Sequence, residues 1–249
     1  MRLENTFVGA RGVGEKTERS LWQQGVTHWD DIEDGVLGGT RGQRLRSYVE
    51  EARPRLDDGD ADYFAETLPG RCAWRLAENF REEACFFDIE TTGLDQHSSV
   101  VTTVSCHRAG ETRTYVQGQD LTADALEEEL SEASLLVSFN GKRFDLPFLE
   151  HHYDLGVETP HLDLMYPCRR LDLTGGLKRI EGALGIGRES DVDGREAVRL
   201  WHQYEGGDED ALERLVHYNR LDAANLETLL DRVCTRLDRQ VFEPHVPER

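Results

Sequence analysis

Two kinds of hydrophobic pattern meet near residue 80 of this chain. Upstream, apolar positions recur at helical spacing between glycines, in FVGARGVGEKTERSLWQQGVTHWDDI and again in GQRLRSYVEEARPRL. The segment DDGDAD (57–62) reads as a turn or linker. From residue 84 the pattern turns strand-like. ACFFDI (84–89) is a short apolar run suited to a buried central strand. SVVTTVSC (99–106) and TRTYVQG (112–118) are β-branched runs joined by HRAGE, the signature of a hairpin. LTADALEEELSEA has an amphipathic helical period with Thr122 as its N-cap. LLVSF (135–139) is another buried strand, and DLPFLEHHY starts a helix with Pro147 in its first turn, where a missing N–H is tolerated. HLDLMY (161–166) is expected as a further strand. GGLKRIEGALGI, GREAVRLWHQYEGG and EDALERLVHYNRLDAANLETLLDRV give three more helices. This order predicts an α/β domain over 81–240, a mixed sheet flanked by helices, preceded by a small all-helical module over 1–80.

Composition narrows the class. A chain of 249 residues with 38% hydrophobic content can bury a core. Cys72, Cys85, Cys106, Cys168 and Cys234 are scattered with no CxxC pair, which argues against a zinc ribbon or a disulfide scaffold and fits a reducing compartment. No apolar run approaches the ~20 residues a membrane span needs. The first residues lack the apolar core of a signal peptide. The expectation is a soluble cytoplasmic protein without a membrane partner.

Charge pulls the other way from the chemistry below. The formal net charge is −20, whereas nucleic-acid binders are usually basic. All but three of the 29 cationic residues are arginine. So acidic and lysine-poor a composition fits a halophilic habitat, where charge keeps proteins soluble. At molar salt the Debye length is only about 3 Å, so repulsion of a polyanion is largely screened.

Three segments carry candidate chemistry. Asp88 and Glu90 in FFDIETTGL are two apart on a strand and share a face. Carboxylates held together repel unless a cation sits between them. Asp145 follows the turn Asn140-Gly141-Lys142-Arg143-Phe144, and Asp222 lies four residues after Tyr218 on one helix face. Hard oxygen ligands suit Mg²⁺ or Mn²⁺. Two such ions about 3.5–4 Å apart can hold a scissile phosphate between an attacking water and a leaving oxygen. Tyr218 would orient that water, since a phenol near pKa 10 is a weak base.

FFDIETTGL, FNGKRFDLPFL and HYNRLDAANL together resemble the three exonuclease motifs of the DEDD superfamily. The second is similar to the proofreading domain of family-B DNA polymerases. Order and length, including WRLAENFREEACFFDIETTGL, resemble the YprB-type ribonuclease-H-like domain over residues ~70–235. The resemblance implies a ribonuclease-H-like fold and a metal-dependent 3′–5′ exonuclease. Asp88, Glu90, Asp145 and Asp222 would be ligands to two Mg²⁺ or Mn²⁺ ions, and Tyr218 the tyrosine-class water-positioning residue. DNA or RNA, most simply a single-stranded 3′ end, is the implied substrate, and any helicase or repair partner would be a separate chain. His217 occupies the spacing used by the histidine subclass. The second motif favours Tyr218.

GARGVGEKTERSLWQQGVTHWDDI resembles a helix-hairpin-helix unit, spanning about 5–37. Backbone N–H groups around Gly12 and Gly14, assisted by Lys16 and Arg19, can hold a phosphate there, although Glu15 and Glu18 blunt the potential. Asn140, Lys142 and Arg143 beside the second motif are further candidates for nucleic-acid contact, with a solvated turn the equal alternative. Asp163 is either a ligand or a loop-capping carboxylate. Trp22, Trp29, Trp74 and Trp201 are expected in the core, and His151 and His152 at the surface. The rival functions are a structure-directed endonuclease on the same site, or a nucleic-acid-binding adaptor that keeps the fold without catalysis.

Overall fold

The computed structural model describes residues 1–187 and 192–247. They form two compact units, one taking the chain to Arg81 and again from Arg232, the other running from Glu82 to Asp231. No described helix is long and apolar enough to cross a membrane.

In the first unit, α1 (Glu15–Gln23), α2 (Gly39–Asp57), α3 (Ala61–Thr67) and α4 (Ala77–Phe80) supply the regular structure. Gly12 (φ +89°) and Gly25 (φ +86°) make the turns on either side of α1, where a side chain would be strained. Leu21, Trp22, Trp29, Leu45 and Phe64 are fully or almost fully buried. The indole N–H groups of Trp22 and Trp29 donate to the carbonyls of Asn5 and Thr6, both at 2.9 Å. Beneath them lies a buried ion pair. The Arg75 guanidinium makes two parallel bonds to Glu18, 2.8 and 2.9 Å, with both side chains fully buried. Glu18 also accepts the N–H of Phe7 at 2.7 Å and of Val8 at 3.3 Å.

The second unit contains β1 (Ala84–Thr91), β2 (Val101–Arg108), β3 (Glu111–Val116), α5 (Ala123–Ser131), β4 (Leu135–Ser138), α6 (Asp145–Tyr153) and β5 (His161–Asp163). Then come α7 (Met165–Arg170), α8 (Leu177–Leu184), α9 (Gly194–Glu205) and α10 (Glu209–Val241), whose last residues belong to the first unit. The described strands form one sheet in the order β3-β2-β1-β4-β5. Its β3-β2-β1 half is antiparallel, and β1-β4-β5 is parallel. The β2–β3 hairpin turns on Ala109 and Gly110, both at positive φ, the geometry that matches strand twist in a two-residue loop. Thr122 caps α5 by accepting the Ala125 N–H at 3.3 Å.

Strand alternation divides the core. Cys85, Phe87, Ile89, Val104, Cys106 and Tyr115 pack with Leu126, Leu130, Phe148 and Leu149 of α5 and α6. On the opposite face Val116 packs with Ala197, Leu200 and Trp201 of α9 and with Leu212, Leu215 and Tyr218 of α10. Helices therefore cover both faces of a mixed sheet, the ribonuclease-H-like arrangement.

The expected strand at 161–166 is a correction. Only His161–Asp163 pairs with β4; the chain then turns, and Met165–Arg170 is helical. Asp163 causes the turn. Its carboxylate accepts the Met165 N–H at 3.0 Å, a bond between residues two apart that bends the chain out of the strand. Leu164 and Met165 are buried in the turn rather than in a sheet.

Candidate metal centre

Asp88 and Glu90 leave β1 on the face opposite the α5–α6 core, facing in register Ser105 and Thr103 of β2. The ladder between β1 and β2 shifts register immediately after Glu90. Helix α10 brings Tyr218, Asn219 and Asp222, which share one helical face, and all three are buried. One oxygen from each of Asp88, Glu90 and Asp222 lies within 4.8 Å of the others. Oxygens on opposite sides of a Mg²⁺ octahedron are about 4.2 Å apart. The trio is therefore near ligating separation, and an all-carboxylate donor set is what Mg²⁺ and Mn²⁺ take.

Asp145 reaches the centre from another direction. It is the first residue of α6, and its carboxylate is 4% exposed, which makes burial the dominant electrostatic fact about it. Beyond the last β1–β4 pair, Phe86 with Val137, the carboxylate accepts the Ile89 N–H where a strand partner would. Its pKa stands well above the usual carboxylate range, through burial first and then the charge of Asp88, with Asp163 adding to it. Among the described residues Asp145 is not part of the close trio, but it feels the same crowding of negative charge. A divalent cation would remove that crowding.

The turn that carries Asp145 is built with little tolerance. Asn140 sits in the left-handed region at φ +66°. Asp163 accepts its N–H at 2.7 Å and that of Lys142 at 3.3 Å. The two oxygens of Asp163 are thus occupied with backbone N–H groups, which settles its role as a loop cap. A Cβ on Gly141 would lie 2.1 Å from Ser138 Oγ, so only glycine fits. Ser138 Oγ in turn bonds His161 Nε2 at 2.7 Å. Burial, with a smaller contribution from the Lys142 charge, pushes the His161 pKa down to about 3. The ring is neutral, and Nε2 accepts the serine proton.

Tyr218 packs among Leu215, Trp201 and Val116, with Lys178 Nζ 4.8 Å above its ring. His217 is exposed. Lys142 and Arg143 are exposed on the turn, while Gly12, Gly14 and Lys16 lie in the first unit. The four tryptophans are all buried, as expected.

Sequence reading overlooked Asn219. Fully buried, it donates from Nδ2 to the Asp88 carboxylate at 2.8 Å and to the Asp88 carbonyl at 3.1 Å. Its Oδ1 is buried without a hydrogen-bond partner. Its position three residues before Asp222 was the available signal, because that spacing places it on the same helix face.

Comparison with known proteins agrees with this architecture. No curated protein matches the chain in sequence. Among solved structures, the family B DNA polymerase of Pyrobaculum calidifontis is 16% identical with a TM-score of 0.46, covering 61% of this chain and 26% of the polymerase, so the chain spans about a quarter of that protein. Brucella melitensis NrnC bound to pGG is 20% identical with a TM-score of 0.48, covering 68% of this chain and 80% of NrnC. The same protein with bound Mg²⁺ is 22% identical with a TM-score of 0.46. The family model that matches, over residues 85–234, is that of the RNase H superfamily. Matched over more than half of its length, this chain belongs to the RNase H superfamily.

Proposed function

We propose that the chain is a metal-dependent nuclease that hydrolyses phosphodiester bonds, acting as a 3′–5′ exonuclease with two divalent ions. The observation that carries this reading is the convergence of Asp88, Glu90 and Asp222, from one strand and one distant helix, to within 4.8 Å. The resemblance of the three motifs to the DEDD tyrosine class and to YprB-type domains supports it. In this reading Asp88, Glu90, Asp145 and Asp222 hold Mg²⁺ or Mn²⁺. Such ions would supply an activated water and neutralise charge on the phosphate.

The chain's own residues contribute position. Asn219 fixes the Asp88 carboxylate, and Asp163 and Gly141 fix the turn that presents Asp145. Tyr218 orients the water whose oxygen attacks phosphorus. The P–O bond to the leaving alcohol breaks, and that oxygen takes up a proton. The substrate is DNA or RNA with a free 3′ end, and the helix-hairpin-helix-like segment of the N-terminal module is a second point of contact with its backbone.

The test compares wild type with Asp88→Ala on end-labelled linear and on circular strands, DNA and RNA, with Mg²⁺ or Mn²⁺. Expected is stepwise shortening of linear strands from the 3′ end by wild type, and no cleavage by the variant. Equal cleavage by the two proteins would refute the reading, and cutting of circles would replace the exonuclease with an endonuclease.

A further inference from the structure

In so acidic a protein, cations without a partner stand out. Helix α2 carries five arginines between Arg41 and Arg55. Three have carboxylate partners: Arg46 with Asp34 at 3.7 Å, Arg53 with Asp30 at 2.6 Å, and Arg55 with Asp60 at 2.8 Å. Arg41 and Arg44 are exposed and have no ion pair among the described residues. They lie three apart, on one face of the helix. With Leu37, Gly38 and Thr40 they line an open cavity of about 440 Å³ that has no carboxylate in its wall.

The turn at Gly12 belongs to the same surface. A Cβ on Gly12 would lie 3.6 Å from Arg44 Nη1 and 3.8 Å from Arg41 Cγ. Arg11 and Lys16, which flank this turn in sequence, are likewise exposed without a partner among the described residues. The acids that seemed to oppose them are compensated from within. Glu18 is buried against Arg75, and Glu15 is paired with Arg71 and Arg19. Counting letters therefore understates how basic this surface is.

We propose that Arg41 and Arg44, with the Gly12 turn beside them, form a docking surface for the phosphodiester backbone of a nucleic acid. Guanidinium forks match phosphate oxygens in paired bonds. No aromatic side chain lines the cavity, so bases have nothing to stack on, and the contact positions a strand without reading its sequence. The choice of ligand rests on the nuclease reading; the surface itself belongs to the first unit and not to the metal centre.

The experiment measures fluorescence anisotropy of labelled oligo-dT and oligo-U with the full-length chain in EDTA, so that cleavage plays no part. Arg41→Gln/Arg44→Gln is compared with Arg46→Gln/Arg53→Gln, which changes net charge equally, and with Asp88→Asn. Melting by circular dichroism checks that each variant folds. Expected for the Arg41/Arg44 pair is about tenfold weaker binding and a salt-dependence slope smaller by about 1.4–1.8, the value for two lost phosphate contacts. The other variants should bind as wild type. Unchanged binding by the Arg41/Arg44 pair, equal weakening by the Arg46/Arg53 pair, or no binding by wild type at low salt overturns the proposal. Loss for one oligomer alone assigns the surface to DNA or to RNA. Failure of the nuclease reading would instead appear as cleavage by Asp88→Ala, which these measurements do not depend on.

Discussion

Asn219 Nδ2 stands 2.8 Å from the Asp88 carboxylate and 3.1 Å from the same residue's carbonyl, a bidentate hold exerted by a helix on a strand. Replacing Asn219 by Leu keeps size and helical propensity but removes the donor. Loss of a hydrogen bond that orients a ligand typically weakens metal binding about 10–100-fold. Mn²⁺ calorimetry should record a loss of that size, and Asn219→Gln should restore little, because its amide is displaced by one methylene. Wild-type Mn²⁺ affinity in Asn219→Leu would falsify this role.

Gly141→Ala drives a methyl group into Ser138 Oγ. Overpacking of this kind costs about 1–3 kcal/mol. The same displacement moves the turn that presents Asp145, so Mn²⁺ affinity should fall with stability. Ser138→Gly makes room, and the double variant should recover part of both losses, measured as a coupling energy by urea unfolding. Strict additivity of the two substitutions would mean that the clash is relieved elsewhere.

Tyr218→Phe retains the ring packing among Leu215, Trp201 and Val116 and removes only the hydroxyl. If that hydroxyl orients the water, kcat falls about 10²-fold or more while KM is little changed. The exposed His217 should tolerate alanine with kcat near wild type. The opposite outcome, His217→Ala inactive and Tyr218→Phe active, would assign the centre to the histidine subclass.

The neutral His161 makes stability depend on pH. Its folded pKa of about 3 lies below the ordinary value of 6.5, so the unfolded chain binds a proton in that interval and the folded one does not. The stabilisation is complete above pH 6.5 and is lost as pH falls toward 3, by at most about 1.4 kcal/mol per unit. His161→Gln cannot titrate. The stability gap between wild type and variant in urea melts should therefore shift in the variant's favour between pH 6 and pH 4, and a constant gap would contradict the assignment.

Arg75→Met strands the Glu18 carboxylate without its cation. Breaking a buried pair from one side typically costs about 3–5 kcal/mol. Adding Glu18→Gln removes the stranded charge and still leaves an oxygen to accept the Phe7 N–H, so the double variant should be more stable than Arg75→Met alone. Denaturant midpoints decide it.

Much of the second unit was legible because strand alternation and helix period leave separate marks: Cys85, Phe87 and Ile89 point one way and Asp88 and Glu90 the other. HLDLMY misled because a short apolar run carries no period of its own. What bends the chain there is a carboxylate bond to the backbone, invisible in letters. Helix α10 runs past the DRV at which the sequence reading stopped, since Val233 and Leu237, both buried, continue its apolar stripe. The candidate carboxylates could be named from motif order, but Asn219 depends on which strand lies opposite its helix. Partnerless arginines are equally unreadable, because pairing is decided by neighbours distant in sequence.

The two margins of the sheet have a consequence for how the molecule behaves when crowded. β5 is only three residues long, and β3 displays Glu111 and Arg113 to solvent. The N–H of Val116 at the end of β3 is already taken by Asp120, at 2.8 Å. A foreign strand seeking to add itself would find charge and a blocked donor at one border and almost no length at the other. Concentrated solutions of the folded protein should accordingly stay free of fibrils.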